Sequence, residues 1–101
     1  MIRPDFVNSE DVQRWSDLVD NDKSLPPGFA DYPLLREVLY ASFWMAENLQ
    51  QDGCSPELIT RIQYTMGALS FGKDPWVVAQ DMLTAYRNND LEFEIDYNED
   101  A

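Results

Sequence analysis

Histidine is absent from this chain, cysteine occurs once, and basic residues are few, with 7 Lys and Arg against 19 Asp and Glu. Each scarcity excludes something. Without histidine there is no Ser-His-Asp or Cys-His nucleophile and no side chain that ordinarily exchanges a proton near neutral pH. A single Cys54 forbids an internal disulfide and all zinc sites built from several Cys or from His. No CxxC pair and no Gly-rich phosphate loop is present. Catalysis is therefore not expected, and no cofactor is implied.

Long apolar runs are also missing. The densest stretch, Leu39 to Ala46, is interrupted by Ser42 and falls far short of the ~18 residues that span a bilayer. The opening Met1-Ile2-Arg3-Pro4-Asp5 has neither the basic start nor the apolar core of a secretory leader, so a cytoplasmic location is expected. The acidic excess gives a net charge of −12. Such a chain is repelled by phosphates and anionic lipid heads and attracted to basic proteins. Direct contact with nucleic acid or membrane is not expected, and a protein with a basic surface is the expected partner.

What the chain does have is a strong pattern at its end. Asp90, Glu92, Glu94, Asp96, Asn98 and Asp100 share one parity, while Leu91, Phe93, Ile95 and Tyr97 take the other. A period of two is that of an extended strand, with one apolar face and one row of carboxylates. Residues 90–101 contain no base and carry half of the net charge. A lone strand cannot satisfy its own backbone, so it needs the N-terminus, a second copy or a partner's sheet edge.

Before that point the chain reads as helix. Asn8 is a candidate N-cap with Val7 and Val12 as a staple pair, and Val12, Trp15, Leu18 and Val19 fall on one face of a first helix ending near Asp20. Pro26-Pro27-Gly28 centre a loop. A second helix starts around Asp31 to Pro33 and runs to about Gln51, apolar over so much of its girth that it must be covered by its neighbours or by a second subunit. Homodimerisation is thus open. Ser55-Pro56 opens a third helix, whose expected buried side is Leu58, Ile59, Ile62, Met66 and Leu69. Asp74-Pro75 opens a fourth, burying Val78, Ala79, Met82, Leu83 and Tyr86 and stopping at Asn88-Asn89. The expected fold is an all-α bundle of about four helices over residues 1–89, followed by an acidic tail at 90–101 that pairs with the N-terminus or with a partner.

Three local features invite a functional reading. Cys54 precedes a helix N-terminus, which favours a thiolate, but packing on Ile59 is the simpler role. Asp20, Asp22, Ser24 and Asp31 imitate the spacing of a calcium loop, yet Leu25 stands where the turn needs glycine, so no metal site is expected. Trp76, second in its helix, lies off the stripe of Val78, Met82 and Tyr86, which makes it a candidate interface tryptophan against the plainer reading as core.

The functional expectation is a non-catalytic interaction module of the inhibitor, immunity, assembly-chaperone or adaptor kind. Glu92, Glu94 and Asp96 would steer a basic partner, and Leu91, Phe93, Ile95 and Tyr97, with Trp76, would supply apolar contact. One alternative is a phage-type nucleic-acid mimic that blocks a DNA- or RNA-binding groove. Another is a carboxylate protein or enzyme that binds calcium or magnesium.

Overall fold

A computed structural model describes residues 3–5, 7–21, 23, 32–69 and 72–90. Among these residues the fold is all-α, with α1 at Ser9–Asp20, α2 at Pro33–Gln51, α3 at Pro56–Leu69 and α4 at Pro75–Arg87, and no strand. The tail that the alternation marks as extended, Leu91 to Ala101, lies outside the described residues, as do Ile2 and Phe6 of its suggested N-terminal partner.

Local chemistry sets the helix ends. The Asn8 side chain accepts the Asp11 backbone N–H at 2.9 Å, and Asp74 accepts that of Trp76 at 3.0 Å, each satisfying a donor the helix itself leaves open. Ser55 Oγ accepts the Leu58 N–H at 3.3 Å. Tyr32 holds the N-cap position of α2 without a side-chain bond, and the preceding Asp31 lies outside the described residues. At their far ends α2 and α4 close in the same way. Gly53 (φ 82°) sends its N–H to the Gln50 carbonyl while Cys54 bonds Leu49, and Asn89 (φ 56°) bonds Tyr86 while Asp90 bonds Ala85. This paired reverse bonding needs a left-handed residue, which is why glycine or asparagine stands there.

The centre of the bundle is α2. Val38, Tyr40, Ala41, Ser42, Trp44, Met45, Ala46 and Leu49 are buried on it, covering most of the helix circumference. Their cover comes from the same chain, because α1, α3 and α4 all pack on α2. Ser42, the buried polar residue in this set, is satisfied by donating its hydroxyl hydrogen to the Val38 carbonyl at 2.8 Å.

Three tryptophans join α1, α2 and α4. Trp76 lies 6.2 Å from Trp15 and 6.0 Å from Trp44 between ring centroids, within the range of favourable tilted aromatic pairs. The indole N–H of Trp15 donates to Glu47 at 2.9 Å, and that of Trp76 donates to Glu37. Arginines complete these contacts from outside: Arg14 reaches Glu47, and Arg3 reaches Glu37 while lying over the Trp76 ring. Arg36 ties α1 to α2, donating to Ser16, Asp20 and Tyr40. The Tyr40 and Asp20 hydrogen bonds, in that order, hold its guanidinium more basic than usual.

Trp76 therefore corrects the expectation of an interface tryptophan, since only 1% of it is accessible. The stripe of α4 identifies the side facing α2, but the first turn also meets α1 through Trp15, which a single helical period does not reveal. Leu18, Leu58 and Tyr86 err the other way, with 49%, 37% and 39% of their surface exposed. All three keep helical spacing with buried neighbours but lie at the margins of their packed faces.

Candidate functional site

The flanks of α3 and α4, where exposed Leu58 and Tyr86 stand beside partly buried Ile62 and Met82, define an open groove. Both helices rest on α2 and touch each other only sparingly, so their facing flanks diverge. The cleft between them encloses about 790 Å³. Leu58 and Ile62 form one wall and Met82, Ala85 and Tyr86 the other, each wall built from residues one helical turn apart. Asp52, Arg87, Asn89 and Asp90 surround the mouth.

Charge at that mouth is partly balanced. Arg87 donates from Nε to Asp52 at 3.0 Å and from its terminal nitrogen to Asn48 at 3.4 Å, fastening the end of α4 to the end of α2. Its position in the last turn also suits the negative pole of the helix. The Tyr86 phenol is held above its ordinary pKa first by its interaction with Cys54, then by partial desolvation and by the Asp52 carboxylate. Cys54 is half-buried and packs against the core cluster that includes Ile59, which matches the packing role read from its position.

Electrostatically, the surface of the body is dominated by acids. Arg3, Arg14, Arg36 and Arg87, four of the seven basic residues, spend their guanidinium groups on Glu37, Asp11 and Glu47, Asp20, and Asp52 of the same chain. Asp5, Glu10, Asp17, Glu57 and Asp81 face solvent. Among the described residues no group of three acids or cysteines is arranged to hold a metal ion. Of the suggested calcium loop, Asp20 is described and is bound by Arg36, while Asp22, Ser24 and Asp31 lie outside the described residues. No described helix is long and apolar enough to cross a membrane.

Of the candidate partner-binding residues, Trp76 is placed in the core, away from the groove, and Glu92, Glu94, Asp96, Leu91, Phe93, Ile95 and Tyr97 lie outside the described residues. The groove itself was missed by sequence reasoning. Its signal was present as two apolar pairs at i, i+4, Leu58 with Ile62 and Met82 with Tyr86, but the same spacing serves a buried stripe equally well. Compared with protein-family models, curated proteins and solved structures, the chain matches none of them.

Proposed function

We propose that this protein is a non-catalytic, acidic interaction module that occupies the basic surface of a partner protein. The observation that carries this reading is the internal use of the arginines. Because Arg3, Arg14, Arg36 and Arg87 are committed to carboxylates of their own chain, the charge offered to other molecules is chiefly negative. The carboxylates of residues 90–101 add to that field. Summed charge of one sign accelerates encounter with a complementary surface and is screened by salt, with a Debye length of about 8 Å at physiological ionic strength. Inhibitors, immunity-type proteins, assembly chaperones and adaptors all work by such surface occupation.

The test is affinity capture from lysate of the source cells with the intact chain and with a Glu92→Gln, Glu94→Gln, Asp96→Asn variant as paired baits. The expected result is a basic protein retained by the intact chain, released by moderate salt and depleted on the variant. A partner without a basic surface, or one retained equally by both baits at every salt concentration, would overturn the reading.

A further inference from the structure

We propose that the groove between α3 and α4 is the docking site for this chain's own tail, residues 91–97, laid down with its apolar side chains in the groove and its carboxylates facing water.

The geometry begins at Asn89. Its left-handed backbone and the bond from the Asp90 N–H back to the Ala85 carbonyl turn the chain out of the line of α4 and hold it beside the last turn of that helix. Asp90, the last described residue, is itself part of the groove mouth with Asn89, Tyr86 and Met82. The tail thus leaves the body at the groove. From there Leu91, Phe93, Ile95 and Tyr97 follow with two-residue spacing. On one face of an extended segment that spacing is roughly 6.6 to 6.8 Å. It is close to the rise of about 6 Å between Leu58 and Ile62, or between Met82 and Tyr86, at 1.5 Å per helical residue. Two successive apolar side chains of the tail therefore meet two successive residues on each wall.

Charge permits this arrangement. The carboxylates of Glu92, Glu94 and Asp96 alternate with the apolar residues and so point away from the groove when the apolar side is down. At the mouth, Arg87 offsets Asp52, which lessens the repulsion an acidic segment would meet there. Along an open cleft water can satisfy the extended backbone, which replaces the sheet edge expected from the alternation alone. Docking also removes Leu58 and Tyr86 from solvent. The inference goes beyond the proposed interaction function and is tested without any partner.

The experiment uses the full chain with Cys54→Ser and Asn98→Cys, carrying a nitroxide on the introduced thiol. Methyl signals of Leu58, Ile62 and Met82 should lose intensity relative to that of Val19 on α1, and recover when the nitroxide is reduced. Adding Phe93→Asp and Ile95→Asp should abolish the loss. In the otherwise native chain, the same two aspartates should shift the Ile62 and Met82 methyl resonances, a measurement that does not depend on replacing Cys54. Uniform broadening, no broadening, or loss of the effect in high salt would overturn the proposal, the last because an apolar contact is not screened. Broadening of an unlabelled copy mixed with the nitroxide-bearing chain would also overturn it, by assigning the groove to a second molecule's tail.

Discussion

The indole N–H of Trp76 donates to the carboxylate of Glu37, across the boundary between α4 and α2, and Arg3 holds the same carboxylate from the other side. The ring is buried, so its single donor has to be satisfied inside the protein. Replacing Glu37 by Leu removes the acceptor and should cost about 1–3 kcal/mol, whereas Glu37→Gln keeps an acceptor oxygen and should cost less. Trp76→Ala should cost about 3–5 kcal/mol through the cavity it leaves. Urea denaturation of the three variants checks the ranking. Equal stability for Glu37→Leu and the native chain would show that the bond contributes nothing.

A second prediction concerns the end of α4. Asn89 sits at φ 56°, where a side chain with a branched Cβ is strained and glycine is not. Asn89→Gly should leave the melting temperature unchanged or raise it, while Asn89→Val should destabilise by roughly 1–2 kcal/mol. Thermal melts by circular dichroism separate the two. A tolerant valine would mean that the terminal turn is not held in the observed conformation.

Much of the fold was legible because it is written in short-range chemistry. Asn8, Ser55-Pro56 and Asp74-Pro75 mark three helix starts through bonds that span only two or three residues, and Gly53 and Asn89 mark two ends. The apolar girth of α2 likewise identified the central helix, since a surface that wide has to be enclosed. What could not be read depends on how helices meet. Trp76 is buried by Trp15 and Trp44, which belong to two other helices, and the groove exists because α3 and α4 lean on α2 rather than on each other. Leu58 and Tyr86 have the periodicity of core residues and the exposure of surface ones, and that difference is tertiary.

Tyr86 gives the alkaline behaviour a direction. Its interaction with Cys54, partial desolvation and the nearby Asp52 carboxylate raise the phenol's pKa in the folded protein. A raised folded pKa means the neutral phenol is favoured by folding. The associated stability is present below the ordinary tyrosine value near 10 and is lost as pH rises through the higher folded value. Tyrosine-selective NMR titration should find Tyr86 ionising above the ordinary tyrosine value, and Cys54→Ala should bring it back toward that value. An unchanged Tyr86 titration in Cys54→Ala would sink this account.

Calcium should find no specific site near the end of α1. Asp20 already accepts from Arg36 at 3.1 Å, so a cation would have to displace a guanidinium that also holds Ser16 and Tyr40. In addition, Leu25 replaces the glycine on which a helix-loop-helix calcium turn depends. Isothermal titration should show no saturable binding tighter than about 1 mM, the weak end for natural calcium modules. A micromolar site that disappears in Asp20→Ala would contradict this.

Two tail variants should separate the work of the two tail faces once a partner is in hand. Replacing Glu92 and Glu94 by Gln and Asp96 by Asn removes long-range attraction but no apolar surface. That variant should associate more slowly and lose most of its salt dependence, because encounter between complementary charges is what salt screens. Phe93→Ala with Ile95→Ala keeps the charge but removes two of the apolar side chains by which, on the proposal above, the segment docks on the body. On that proposal the complex must then bear the cost of holding an undocked segment, and among related complexes such losses of affinity fall mainly on dissociation. Surface plasmon resonance at two salt concentrations reads both effects. A nucleic-acid mimic would rank the variants in the opposite order, with charge removal abolishing binding and the apolar pair nearly silent. If neither variant changes either rate, residues 90–101 are not the binding element, and the acidic body would have to engage the partner without them.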